Sequence, residues 1–65
     1  MEMEITKAER RHKLIAEIAA RNPNTESKCM AAYMRDVMPQ VVEACAGTEW
    51  QGKENVIAMR ACELT

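Results

Sequence analysis

Large aromatic side chains are nearly missing from this sequence, which has no phenylalanine, one tryptophan and one tyrosine. Leucine, isoleucine and valine together add only ten residues, so a chain of 65 residues has little with which to build a core. Its ten alanines raise the hydrophobic content to 48% but add little volume. The net charge of −1 and the regular spacing of the apolar residues nevertheless predict a folded chain. A domain this small commonly needs a further source of stability, such as a disulfide, a bound metal, a partner protein or a second copy of itself.

Cysteine pairs and long apolar runs are also missing. Cys29, Cys45 and Cys62 are odd in number and far apart, which argues against a disulfide framework. Charges interrupt the first residues, where a signal peptide needs an apolar stretch, and nowhere do about 18 apolar residues follow one another. We therefore expect a cytoplasmic protein whose thiols stay free in a reducing compartment. Short chains of this kind are found among bacterial, phage and plasmid accessory genes.

The first helix is predicted to begin near Lys7. Thr6 and Glu9 fit a capping box, in which side-chain oxygens accept hydrogen bonds from the unpaired amides of a helix start. Pro23 disfavours a helical residue before it and should end the helix. Between these signals the apolar residues recur at helical spacing.

The second helix is predicted from about Glu26 to Ala46. Its apolar residues continue in phase through Pro39, which removes one backbone hydrogen bond and clashes with the preceding turn. We therefore expect either one helix kinked at Pro39 or two helices that meet there. Gly47 suits the left-handed residue that often ends a helix.

A last helix is predicted after the second capping box, Thr48 to Gln51. Gly52 weakens a helix, so its regular part is expected to begin only at Lys53. The fold class is therefore all-α, a small bundle of three helices, or of four segments if Pro39 divides the second helix. Residues 1–65 are expected to form one domain with residues 1–5 frayed.

A stripe of methionines four residues apart is the most distinctive feature of the second helix. Methionines adapt to irregular surfaces, although filling a core is their ordinary role. This helix has more apolar surface than two short neighbours can cover, which favours self-association or docking onto another protein. The interface candidates are Met30, Tyr33, Met34, Met38, Val41, Val42 and Trp50.

Basic residues cluster at the start of the first helix: Lys7, Arg10, Arg11 and Lys13. Such a patch can contact nucleic-acid phosphates or an acidic protein. However, the pairs Glu9 with Lys13 and Glu17 with Arg21 have the spacing of ion pairs on a solvated helix face. The pI of about 5.8 also lies below the range of nucleic-acid-binding domains.

No motif indicates an active site, a metal or a cofactor. His12 and the three cysteines stand singly, whereas structural zinc sites usually draw their ligands as close pairs. A reactive thiol at Cys29 or metal chemistry at His12 is the least favoured hypothesis, so we expect no enzyme. The sequence favours a non-catalytic regulator or inhibitor that binds a larger protein, alone or as a homodimer. Nucleic-acid binding through the basic cluster is the alternative.

Overall fold

The computed structural model describes residues 6–65, which form three helices and no strand. Helix α1 spans Lys7–Arg21, α2 spans Met30–Cys45 and α3 spans Glu54–Leu64. Helix α3 packs against both α2 and α1, whereas α1 and α2 touch each other much less. The predicted all-α class is confirmed, and the prediction for residues 1–5 lies outside the described residues.

The core is a single apolar cluster contributed by all three helices and by Trp50. Val41, Cys45, Ala58 and Ala61 have no exposed surface, and Ile57 is 1% exposed. Burial of such side chains is the main favourable contribution to folding. The complete cluster is Ile15, Ile18, Ala19, Tyr33, Val37, Val41, Cys45, Trp50, Ile57, Ala58 and Ala61.

Helix α1 begins and ends where its sequence signals predict. The Glu9 amide donates to the hydroxyl oxygen of Thr6 over 3.1 Å, which is the threonine half of the predicted capping box. At the other end, the Asn22 side-chain amide donates to the carbonyl oxygen of Ile18 over 2.9 Å. Pro23 follows directly, so the helix cannot continue.

Helix α2 begins at Met30, so the predicted start near Glu26 is wrong. The Asn24 side chain bonds both backbone groups of Lys28, accepting from its amide and donating to its carbonyl, each over 2.8 Å. Ser27 adopts a left-handed φ of 52° inside this loop. A side chain that satisfies the backbone in this way competes with the helix, which therefore starts later.

Helix α2 continues through Pro39 as one element, so it does not divide into two helices. Pro39 cannot donate to the carbonyl oxygen of Arg35, and its ring lies on the exposed side of the helix. A bend at this position stays a prediction.

The connection between α2 and α3 consists of turns. Gly47 has a φ of 75°, the left-handed conformation predicted for it, and Gly52 has a φ of 91°. The predicted second capping box forms a local turn instead, in which the Trp50 amide donates to the Thr48 hydroxyl oxygen over 3.1 Å. Lys53 is the N-cap residue of α3, so the regular helix begins one residue after the predicted start.

Candidate interaction surfaces

Hydrogen bonds show which side of α2 faces α1. The Tyr33 hydroxyl donates to the carbonyl oxygen of Asn22 over 2.7 Å. The side-chain amides of Asn22 and Gln40 bond each other in both directions, each over 3.0 Å. Tyr33 and Gln40 are seven residues apart and therefore share one side of the helix. Around the helix axis, Met34 and Met38 lie about 100° and 140° from Tyr33, so they do not face α1.

A depression between α1 and α3 shows which flank of α3 faces α1. Arg60 and Leu64 line a depression of about 290 Å³ together with Ile15 of α1, so this flank of α3 faces α1. Around the helix axis, Met59 lies about 100° from Arg60, and Cys62 lies about 160° from both Arg60 and Leu64. They therefore lie on the flank that turns away from α1.

Helices α2 and α3 thus present their outer flanks on the same side of the molecule, opposite α1. Met34, Met38 and Cys62 are partly buried against the core, whereas Val42 is 47% exposed and Met59 is 36% exposed. We call the surface formed by Met34, Met38, Val42, Met59 and Cys62 the methionine face.

The predicted interface residues divide between this face and the core. Tyr33, Val41 and Trp50 are buried, with 3%, 0% and 7% of their surface exposed. Met30 is 38% exposed at the start of α2. Met34, Met38 and Val42 belong to the methionine face, as defined above. Sequence reasoning missed Met59 and Cys62, although the apolar residues of α3 occur on more than one side of its helix.

Two of the four residues in the basic cluster of α1 form ion pairs within the chain. The Arg10 guanidinium lies 3.0 Å from Glu49, and the Lys7 ammonium lies 3.9 Å from the same carboxylate. The Lys7 ammonium also stands 5.7 Å from the Trp50 ring centroid, and that of Lys53 stands 5.9 Å from it. These contacts attach the start of α1 to the connection between α2 and α3.

Arg11 and Lys13 are the two basic residues that project freely into solvent. Within residues 6–65 neither forms an ion pair, and the predicted pairs Glu9–Lys13 and Glu17–Arg21 are not formed. Among the ion pairs within residues 6–65, those of the cluster are made with Glu49, which is remote in sequence, and not with Glu9 or Glu17 of α1.

The three free cysteines lie in three different environments. Cys29 is exposed and is the N-cap residue of α2, Cys45 is buried and Cys62 is half-buried. Burial, with a smaller contribution from the Glu54 charge, raises the pKa of the Cys45 thiol, which disfavours the reactive thiolate. Across residues 6–65, no three histidine, cysteine or acidic side chains come together as a metal site would require.

Among the described helices, none is both long enough and apolar enough to cross a membrane. Comparison with protein-family models, with curated proteins and with solved structures gave no match for this chain.

Proposed function

We propose that this protein is a non-catalytic interaction module that binds a larger protein through the methionine face, either alone or as a homodimer. The observation that carries the proposal is the exposure of apolar side chains on the outer flanks of α2 and α3. Val42 and Met59 are exposed there next to partly buried methionines. A small regulator or inhibitor that occupies a surface of its target needs a face of this kind.

The chemistry of the methionine face supports this role. None of its five residues is charged, so a partner can cover it without leaving a buried charge unpaired. Methionine side chains are flexible and polarizable, and methionine is enriched at protein interfaces. Partly buried Met34 and Met38 lie between the core and solvent, where a partner's apolar side chain can complete their packing.

Two finer proposals accompany this role. We propose that α2 bends at Pro39, because the ring of a proline inside a helix clashes with the preceding turn. We also propose a cytoplasmic location, where the exposed thiol of Cys29 would stay reduced.

Nucleic-acid binding has less support than protein binding. Lys7 and Arg10 are already engaged with Glu49, which leaves Arg11 and Lys13 as the freely projecting cations of the cluster. Affinity for nucleic acid depends on the number of phosphates that cations neutralise, and two cations contribute little.

A matched pair of variants on α2 tests the proposed role. Val42→Lys places a charge on the methionine face, whereas Ala44→Lys places one on an exposed position at the α1 side of the same helix. The wild type and both variants would be compared by light scattering over a concentration series and by capture of binding proteins from an extract of the producing cells.

We expect Val42→Lys to lose the dimer or the captured protein, and Ala44→Lys to retain it, while circular dichroism shows equal helicity. Equal capture and equal mass for all three proteins would contradict the proposal.

A further inference from the structure

Four sulfur-containing side chains lie on the methionine face. Met34 and Met38 are four residues apart on α2 and about 40° apart around its axis, and Met59 and Cys62 are three residues apart on α3. Met34, Met38 and Cys62 are half-buried and pack against the same apolar core. Two helices therefore bring thioether and thiol sulfurs to one side of the fold.

Electrostatic interactions show which ends of α2 and α3 lie side by side. Burial, followed by the negative charge of an ionised Cys62, raises the pKa of the Tyr33 hydroxyl, so the end of α3 lies near the start of α2. Burial and then the Glu54 charge raise the pKa of the Cys45 thiol, so the start of α3 lies near the end of α2. The two helices are therefore antiparallel, and Cys62 lies at the level of Tyr33 and of Met34, which follows it.

Thioether and thiolate sulfurs are ligands for soft metal ions. Soft ligands of this kind select copper(I), whereas zinc sites are built from cysteine, histidine and carboxylate groups. Across residues 6–65, histidine, cysteine and acidic side chains do not gather in threes as a zinc site would require. Met34 and Met38 supply a type of ligand that suits copper(I) and is foreign to zinc sites. The chemistry of the cluster therefore favours copper(I).

We propose that Met34, Met38 and Cys62 form a binding site for copper(I), with two thioether sulfurs from α2 and one thiolate sulfur from α3. Binding replaces the proton of the thiol, which passes to water, and the copper stays in the +1 state. The bound ion joins α2 to α3 and so adds a source of stability to a small core. This site does not depend on the partner proposed above.

Competition with a copper(I) chelator tests the site. The purified protein, kept reduced and free of oxygen, would be titrated into the coloured copper(I) complex of bicinchoninate, and the loss of colour would be measured. We expect the protein to remove copper(I) from the chelator up to equal amounts of metal and chain. Zinc(II), measured with a zinc indicator dye, should bind at least about tenfold more weakly.

Variants with matched controls locate the ligands. Met34→Leu and Met38→Leu keep the apolar volume but remove a thioether, and each should weaken copper(I) binding at least about tenfold. Cys62→Ser should abolish it. Met30→Leu and Cys29→Ser remove the same sulfur groups at exposed positions outside the cluster and should leave the affinity unchanged. Circular dichroism would check that each variant folds.

Several results would overturn the proposal. These are failure of the wild type to take copper(I) from the chelator, zinc(II) binding as tight as that of copper(I), unchanged affinity in both methionine variants of α2, or loss of binding in Cys29→Ser. Partner binding is measured separately with Val42→Lys, which keeps all three ligands. Failure of the copper site is therefore distinguishable from failure of the proposed function.

Discussion

The two sides of the α2–α3 pair are built differently. On the α1 side, Ile15 and Ile18 belong to the buried cluster, and hydrogen bonds from Tyr33 and Gln40 join α2 to Asn22. On the opposite side, Val42 and Met59 of the methionine face are exposed to solvent. A chain with so few large apolar residues can cover one side of a helix pair and not both. Stability therefore depends mainly on the covered side, and we propose that the opposite side binds a partner.

The largest predicted effect comes from the covered side. Ile57 is 1% exposed, so Ile57→Ala removes buried methyl and methylene groups and leaves a cavity. Such changes cost about 2–5 kcal/mol, which is comparable to the roughly 3–5 kcal/mol that a core of this size supplies. We expect this variant to be largely unfolded at 25 °C by circular dichroism.

The neighbouring residue provides the control. Val56 is 44% exposed, and Val56→Ala should change the free energy of unfolding by no more than about 0.5 kcal/mol. If the two variants melted alike, α3 would not pack in the orientation described and the contrast between the two sides would be lost.

A smaller effect is expected at the polar contact between α1 and α2. Tyr33→Phe keeps the buried ring but leaves the Asn22 carbonyl oxygen without the hydroxyl donor now 2.7 Å away. Loss of a hydrogen bond of this type costs about 1 kcal/mol. Urea unfolding should show this decrease in stability with an unchanged dependence on denaturant concentration. An unchanged midpoint would mean that apolar packing alone holds α1 in place.

Features that depend on neighbouring residues could be predicted from the sequence. The cap at Thr6, the end of α1 before Pro23 and the left-handed Gly47 all follow from local backbone chemistry. The late start of α2 could not be predicted, because both bonds between Asn24 and Lys28 form only in one particular loop conformation. Asparagine also serves as a helix cap, and its residue type does not distinguish the two roles.

The candidate surfaces were harder to predict because they depend on which flank each neighbouring helix covers. The spacing of Tyr33, Met34 and Val41 shows that they share one side of α2, but not that Tyr33 and Val41 are buried while Met34 is at the edge. The partner of Arg10 was missed for the same reason. Glu49 lies 39 positions away, so only the folded chain brings the two charges together.

That long-range ion pair gives the third prediction. Glu49→Gln removes the carboxylate that binds both Arg10 and Lys7. The Glu49 side chain is 34% exposed, and exposed ion pairs contribute about 0.2–1 kcal/mol, so a loss in the lower part of that range is expected. The difference from wild type should shrink in 1 M salt, where charges are screened over about 3 Å. A difference independent of salt would show that lost packing, not lost charge, is responsible.

The smallest effect concerns a charge pair near the loop before α2. Lys28 donates a hydrogen bond to Asp36, and this bond, followed by the attraction of the Lys28 charge, lowers the pKa of the Asp36 carboxyl below its usual 3.8. A carboxyl whose pKa is lower in the folded state stabilises the fold above its unfolded pKa, and this contribution disappears as the pH falls through the folded value. Asp36→Asn should therefore lower the melting temperature slightly at pH 7 and leave it unchanged near pH 2.

Glu43→Gln, on an exposed carboxylate without an ion pair inside residues 6–65, is the matched control and should have less effect at pH 7. An equal decrease in both variants at pH 7 would mean that net charge, not the bond to Lys28, sets the acid sensitivity of the fold.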